Sequence, residues 1–201
     1  MNVWRDRLSR WLSPLARRSP VSPNAITLFA LLLSLMAASL LAAMQAHPAA
    51  VFAAVGLITA AGLADAFDGI VAREQNRASP FGDFLDHICD RISDSATVVG
   101  WTMGSGVRPL LVIASLFMVM LNGYVGTQVE ATFARREYEG VGRGEFVLAL
   151  IVFPLVSYLL IETGTLWTRF ASLTIPEWMT IVLIAFAGLG IVQRVQLARR
   201  L

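Results

Sequence analysis

The sequence predicts an all-α integral membrane protein with six transmembrane helices, preceded by an amphipathic N-terminal interfacial helix. Two compositional observations support this class: 56% of the 201 residues are hydrophobic, and the mean hydropathy is +0.65. Length is the third, because several apolar stretches approach the roughly 20 residues that a helix needs to cross a bilayer. Spans of this kind favour membrane helices over a soluble core, and the sequence contains no second, soluble domain.

The amino-terminal segment, residues 1–21, is predicted to be an amphipathic juxtamembrane helix. Its apolar residues alternate with arginines and do not form the continuous apolar core of a cleavable signal peptide. A helix of this pattern lies on the membrane surface, with its tryptophans inward and its arginines at the headgroups. The apolar residues are Trp4, Leu8, Trp11, Leu12 and Leu15.

Residues 22–201 are predicted to form one transmembrane domain of six helices. Asn24 is a candidate cap for the first helix, and Pro23 sets its entry. The turns are marked by His47-Pro48, a polar loop at 73–82 and a break at 104–109. The charged stretch 130–143 follows the fourth span, which begins near residue 110. The other expected spans are 24–45, 49–73, 83–103, 145–161 and 176–193.

The basic residues orient the protein. All sixteen are arginines, and six spans put both termini on the same side of the membrane. Arginine clusters beside apolar spans mark the cytoplasmic side and attract anionic lipid headgroups, so we expect both termini and the active site to face the cytoplasm. Because the clusters flank membrane spans, a nucleic-acid surface is not expected. The terminal arginines are Arg5, Arg7, Arg10, Arg17, Arg18, Arg194, Arg199 and Arg200.

Four aspartates occupy a fixed frame at the end of the second span and the start of the third. Members of each pair are three or four residues apart and share a helix face, and the short loop makes the two helices antiparallel neighbours. We therefore expect the four carboxylates to converge near the cytoplasmic boundary. The frame reads Asp65-x2-Asp68-Gly69-x2-Ala72-Arg73, eight further residues, then Gly82-x3-Asp86-x3-Asp90.

Such a cluster would repel itself in a low-dielectric surround unless cations or protons relieve it. With neither cysteine nor histidine on its face, it suits two Mg²⁺ or Mn²⁺ ions. Two such ions can clamp a diphosphate during in-line displacement at phosphorus, and Arg73 offers a planar fork for phosphate. Small residues in the frame permit close approach of a helix or a substrate.

Neighbouring polar residues receive structural interpretations. Cys89 is the only cysteine and is expected to be a small buried helix residue, while His87 is expected to be a neighbour of the acidic face and not a ligand. Asp83 is a candidate cap of the third helix. Asp94 continues the acidic stripe by one turn, outside the frame, and could pair with Arg91.

The complete aspartate frame resembles the signature of the CDP-alcohol phosphotransferases. The resemblance implies a CDP-linked lipid donor such as CDP-diacylglycerol, an alcohol acceptor, release of CMP and a homodimer. It also implies that Asp65 and Asp86 bridge both metals, that Asp68 binds one, and that Asp90 binds the other and acts as the general base. A carboxylate at the edge of the metal site is suited to accept the proton of the attacking alcohol.

The same resemblance implies a donor site. Residues 23–27 are similar to the family's Pro-Asn-x-x-Thr segment, although Asn24 could equally be a plain helix cap. The residues implied for CDP-lipid binding are Asn24, Thr27, Gly69, Arg73, Ser79 and Gly82.

The acceptor is less closely specified. Residues 130–145 resemble the arginine-containing segment of prokaryotic phosphatidylinositol-phosphate synthases, which implies an inositol phosphate bound by Arg135, Arg136 and Arg143. The same arginines would equally mark a charged cytoplasmic helix end, and glycerol phosphate, serine or another amino alcohol remains an alternative acceptor. A cation transporter is the alternative of another class, since it also places acids in membrane helices.

Overall fold

The structure, a computed structural model, describes residues 11–133 and 143–200, and within them the protein is all-α apart from one short hairpin. Residues 11–17 are helical and are labelled α1. The hairpin pairs Arg169–Phe170 (β1) with Leu173–Thr174 (β2). The remaining helices are α2 (Pro23–Ala42), α3 (Ala50–Glu74), α4 (Pro80–Gly104), α5 (Pro109–Phe133), α6 (Arg143–Glu162) and α7 (Ile175–Ala198).

Four of these helices, α2, α3, α5 and α7, are long and apolar enough to cross a membrane. This confirms the expected class, an all-α integral membrane protein. The helices α2 to α7 begin within three residues of the predicted span starts. The hydropathy of α4 is reduced by its aspartates, and the apolar part of α6 is the shorter segment Phe146–Glu162.

Three helices begin with a hydroxyl side chain followed by a proline in the first turn. The Ser22 hydroxyl accepts a hydrogen bond from a backbone N–H of α2, and Ser79 and Thr174 do the same for α4 and α7. Proline is tolerated there because its missing N–H would have no partner inside the helix. The expected caps were therefore wrong: Asn24 is the second residue of α2, and Asp83 lies in the first turn of α4.

Helix α2 packs against both α3 and α4. The crossing with α4 depends on two glycines, because a Cβ at Gly100 would meet the backbone of Ala38 and one at Gly104 would meet the backbone of Leu41. Without side chains at these positions, α4 approaches the α2 backbone directly. Helices α5 and α7 pack on each other, and α6 contacts α3.

The main apolar core lies at the end of the helices opposite to the aspartates. Leu41, Met44, Val51 and Trp101 are fully buried there. The Trp101 indole N–H donates a 3.0 Å hydrogen bond to the Ser157 hydroxyl, which satisfies a buried donor inside the bundle. This packing anchors α2, α3 and α4 and leaves their other ends to carry polar side chains.

The described part of α1 packs against the polar end of the bundle. Ala16 is fully buried in a cluster with Ile26, Ile70 and Val71. On the outer side of α1 the Trp11 side chain is 86% exposed, as a residue that enters lipid would be. The predicted apolar residues Trp4 and Leu8 lie outside the described residues.

Candidate active site

Three carboxylates from two helices converge at the polar end of the bundle. One oxygen atom of each of Asp65, Asp86 and Asp90 lies within 4.8 Å of the others. Asp65 comes from the last third of α3, whereas Asp86 and Asp90 are one turn apart near the start of α4. Asp90 is buried and the other two are half-buried. Helix α2 packs against both α3 and α4, and the five-residue connection 75–79 keeps their aspartate-bearing ends at the same end of the bundle.

Asp68 lies beside this group and is fixed by a different contact. The Thr27 hydroxyl donates a 2.5 Å hydrogen bond to Oδ2 of Asp68, and both side chains are buried. The Asp68 carboxylate also lies in the electrostatic field of Asp65 and Asp86. Of the four frame aspartates, three therefore form the close group, and the fourth is oriented by α2.

The donor atoms suit a hard divalent cation. Carboxylate oxygens are the ligands that Mg²⁺ and Mn²⁺ prefer, and three of them at this separation can share an ion. The helices hold these like charges together in a bundle of low dielectric, where their mutual repulsion is costly without a counter-ion. The site therefore has the composition and geometry of a metal centre.

Arg73 extends back along α3 toward the acidic group. A Cβ at Gly69 would lie 3.4 Å from Nη1 of Arg73, so the guanidinium covers the space that this glycine leaves open. Asp65, Gly69 and Arg73 are four residues apart, so the guanidinium extends along the helix face that carries Asp65. A guanidinium at this point is placed to contact an anionic group bound to the carboxylate-held ions.

Gly82 lies between the starts of α2 and α4. A Cβ at this position would be 3.2 Å from both Oδ1 of Asn24 and Oγ of Ser79, and the Gly82 N–H donates a 3.0 Å hydrogen bond to Ser79. The glycine thus allows these two polar side chains to approach each other. The six residues predicted for the donor site lie at the start of α2, the end of α3 and the start of α4, around the acidic cluster: Asn24, Thr27, Gly69, Arg73, Ser79 and Gly82.

The arginines predicted for the acceptor fall mostly outside the described chain. Arg135 and Arg136 are not among the described residues. Arg143 is the first residue of α6, and the side chain of this arginine is likewise not described. Their predicted role stays a prediction.

Two arginines that the sequence reasoning did not assign to the site meet beside it. Nη2 of Arg91 is 3.9 Å from Oδ2 of Asp90, and its guanidinium occupies the space over Gly123 of α5. Arg194 of α7 donates a hydrogen bond to the Asn122 side chain, one residue from that glycine. Both guanidiniums therefore lie against the same turn of α5.

The direction of the Arg194 side chain is unusual for a membrane helix. A Cβ at Gly190 would be 3.0 Å from Nη1 of Arg194, so the side chain runs back toward the interior of the bundle. An arginine near the end of a span ordinarily extends toward the headgroups. Two sequence signals were available: Asn122 within an apolar stretch, and the glycines that face these arginines. Neither signal identifies which side chain occupies the space beside a glycine.

A small cavity extends from the carboxylates into the bundle. Its volume is about 50 Å³, and five of its polar lining residues are Thr27, Ser34, Asp90, Asp94 and Thr97. A polar cavity of this size accommodates a few water molecules. Cys89 is buried beside it, and Nε2 of His87 faces outward, 3.9 Å from Asp83 and 4.0 Å from Glu130.

The chain is similar to several known proteins. Residues 20–187 match the family described as CDP-alcohol phosphatidyltransferase. The archaetidylinositol phosphate synthase of Aeropyrum pernix is 34% identical over 84% of this chain and 82% of its own length.

Two solved structures of the Mycobacterium tuberculosis phosphatidylinositol phosphate synthase are also similar. The structure with CDP-DAG bound has a TM-score of 0.66 and 26% identity, covering 94% of each chain. The complex with manganese and citrate has a TM-score of 0.65 and 27% identity, covering 92% of this chain and 88% of that one.

Proposed function

The chain belongs to the CDP-alcohol phosphatidyltransferase family, and from that membership we propose that it transfers the phosphatidyl group of CDP-diacylglycerol to a hydroxyl of an inositol phosphate. The observation that carries the proposal is the convergence of the Asp65, Asp86 and Asp90 carboxylates within 4.8 Å. The relatives named above support the choice of lipid donor and of a phosphorylated polyol as acceptor.

The acidic cluster binds two Mg²⁺ or Mn²⁺ ions through Asp65, Asp68, Asp86 and Asp90. When bound, such ions neutralise the donor diphosphate and stabilise the charge that develops on the transferred phosphoryl group. The Thr27 hydroxyl fixes the Asp68 carboxylate, so one ligand is oriented before any ion or substrate arrives. The relative solved with manganese supports this assignment.

Asp90 acts as the general base. The acceptor hydroxyl oxygen attacks the phosphatidyl phosphorus, a new O–P bond forms, the P–O bond to CMP breaks, and the hydroxyl proton passes to the Asp90 carboxylate. Arg91 lies beside this carboxylate, with its Nη2 3.9 Å from Oδ2 of Asp90.

The donor site lies where α2, α3 and α4 meet. Arg73 binds a donor phosphate, because its guanidinium already extends over Gly69 toward the carboxylates. The backbone at Gly69 and Gly82 lets the donor approach closely. The side chains of Asn24, Thr27 and Ser79 supply polar groups around the nucleotide.

The acceptor phosphate binds between Arg91 and Arg194. Two guanidiniums that lie against the same turn of α5 inside a membrane bundle would be stabilised by an anion between them. A phosphorylated acceptor provides that anion as a phosphate, whereas serine offers only a carboxylate next to its own ammonium group. Arg135, Arg136 and Arg143, whose side chains are not described, are proposed as further acceptor-binding residues because of their positive charge.

The protein crosses the membrane six times, with α4 and α6 as the two further spans, and both termini and the site face the cytoplasm. The arginine clusters at the termini support this orientation. Residues 1–21 form an interfacial helix and residues 22–201 the transmembrane domain. The protein is a homodimer, as its resemblance to the family implies.

One experiment tests the proposal directly. Purified protein is supplied with CDP-diacylglycerol, Mg²⁺ and a panel of alcohols that includes inositol phosphate, glycerol phosphate and serine, and the lipid product is identified by mass spectrometry. We expect CMP release and a phosphatidylinositol phosphate product, both lost in Asp90→Asn. CMP release undiminished in Asp90→Asn would exclude the proposed base, and cation flux into proteoliposomes without nucleotide would favour a transporter.

A further inference from the structure

Glu74, the last residue of α3, lies between two arginines. Its Oε2 is 2.6 Å from Nε of Arg17 on the α1 side, Ser13 of α1 also hydrogen-bonds to its carboxylate, and the charge of Arg73 has a smaller effect. The Arg17 side chain is 68% exposed, whereas that of Glu74 is 24% exposed. The contact raises the pKa of Arg17, so the guanidinium stays charged throughout the physiological range. Glu74 is therefore engaged by the arginine that plays no part in the proposed donor site.

Arg73, the residue before Glu74, has a different role. Its guanidinium lies over Gly69 and extends toward the carboxylate cluster, where the proposed function has it bind a donor phosphate. Glu74 is the next residue in the chain, and its carboxylate is a second negative charge near Arg73. A Glu74 released from Arg17 would attract Arg73 away from the donor, because attraction between unit charges a few ångströms apart is comparable with the thermal energy even in water.

Other contacts hold Arg17 in place. The Gln75 side-chain amide donates hydrogen bonds of 2.8 Å to the Ala16 carbonyl and 2.9 Å to the Ser19 carbonyl, which satisfies acceptors at the end of α1. Ala16 itself is fully buried against α2 and α3. The backbone position of this end of α1 therefore does not depend on the ion pair, and an exposed ion pair adds little to stability.

We propose that Arg17 is a positioning residue for donor binding: by engaging Glu74, it keeps the Arg73 guanidinium available to the diphosphate of the CDP-lipid. The inference rests on the proposed function. It assigns a role to α1 that follows from electrostatics at the α1–α3 contact and not from packing alone. It also predicts that Arg17 matters only while Glu74 carries its charge.

A double-mutant experiment tests this role. KM for CDP-diacylglycerol and kcat are measured for the wild type, Arg17→Met, Glu74→Gln and the double variant in the same detergent and lipid mixture. We expect Arg17→Met to raise KM about three- to fivefold with kcat unchanged, as loss of an exposed charge interaction does. Glu74→Gln should match the wild type, and adding it to Arg17→Met should restore KM. The increase should shrink at high salt, where the attraction between Glu74 and Arg73 is screened.

Gln75→Leu is the matched structural control. It removes the two hydrogen bonds that hold α1 but leaves all charges in place, so any loss that it causes should not be rescued by Glu74→Gln. If Glu74→Gln impairs donor binding as much as Arg17→Met does, or if the double variant is not restored, the ion pair acts only as a structural link and the proposal is wrong. An Arg17→Met variant with the wild-type KM would also overturn it. A wild type that releases no CMP would instead contradict the proposed function.

Discussion

The Thr27 hydroxyl and the Asp68 carboxylate form a buried 2.5 Å hydrogen bond that joins α2 to α3 at the acidic cluster. The same hydroxyl lies 3.1 Å from the Pro23 carbonyl, one turn earlier in α2. Asp68 is thereby oriented by a helix that contributes none of the four carboxylates. Hydrogen bonds of this type fix the direction of a metal-binding carboxylate before the ion arrives.

Thr27→Val should therefore weaken metal binding while it preserves the shape of the side chain. Because loss of an outer-shell partner typically costs 10- to 100-fold in metal affinity or activity, we expect the Mg²⁺ concentration for half-maximal activity to rise by about tenfold. A metal titration of CMP release measures this. Thr27→Ser keeps the hydroxyl and serves as the control, and an unchanged titration curve for Thr27→Val would show that the bond has no such role.

Removal of divalent metal should abolish turnover reversibly. We expect no CMP release after treatment with EDTA, and recovery when excess Mg²⁺ or Mn²⁺ is added, because the carboxylates bind the donor diphosphate only through cations. Asp86→Asn should reduce activity by at least about 100-fold at any metal concentration. Asp83→Asn, one turn earlier on α4 and 49% exposed, is the matched control and should retain activity. Full turnover in EDTA would contradict the two-ion site.

The helices and the aspartate frame were predictable from the sequence because both depend on local spacing. Apolar runs set the spans, and positions three or four residues apart set the shared faces of Asp65 with Asp68 and of Asp86 with Asp90. The helix caps were also within reach. A hydroxyl residue directly before a proline at the helix start identifies the cap correctly in Ser22-Pro23 and Ser79-Pro80. Asn24 and Asp83 follow these prolines and therefore lie inside the helices.

The rest of the site depends on which helices meet. The sequence places Arg91 on α4 and Arg194 on α7, about a hundred residues apart, and only the packing of α5 between them brings both to Asn122 and Gly123. Likewise, the spacing of Asp68 predicts a shared face with Asp65 but not its bond to Thr27. These are tertiary contacts across long sequence separations, for which local patterns carry no signal.

Gly104→Ala should destabilise the bundle. A Cβ there would overlap the Leu41 carbonyl oxygen, and backbone at a helix crossing cannot yield as a flexible side chain can. We expect a cost of about 1–3 kcal/mol or more, as for other overpacked cores, and a lower thermal midpoint in detergent. Gly56→Ala on α3 is the control, since a Cβ there would meet nothing within 4 Å and alanine favours the helix. Equal thermal midpoints for the two variants would mean that α2 and α4 are further apart at this crossing than the structure shows.

Arg194→Gln should impair binding of the acceptor and leave that of the donor intact. Its guanidinium lies beside Arg91 and Asn122, on the α5–α7 side of Asp90, whereas the proposed donor residues lie on α2, α3 and α4. Loss of a hydrogen bond to a charged group costs about 1.5–3 kcal/mol, so we expect KM for inositol phosphate to rise about 10- to 100-fold. The preference for inositol phosphate over unphosphorylated inositol should fall with it, because the phosphate is the group that the arginine binds. Arg199→Gln, an exposed residue one turn further along, should change neither quantity. A variant that loses turnover equally with both acceptors would show instead that Arg194 supports the packing of α5 on α7.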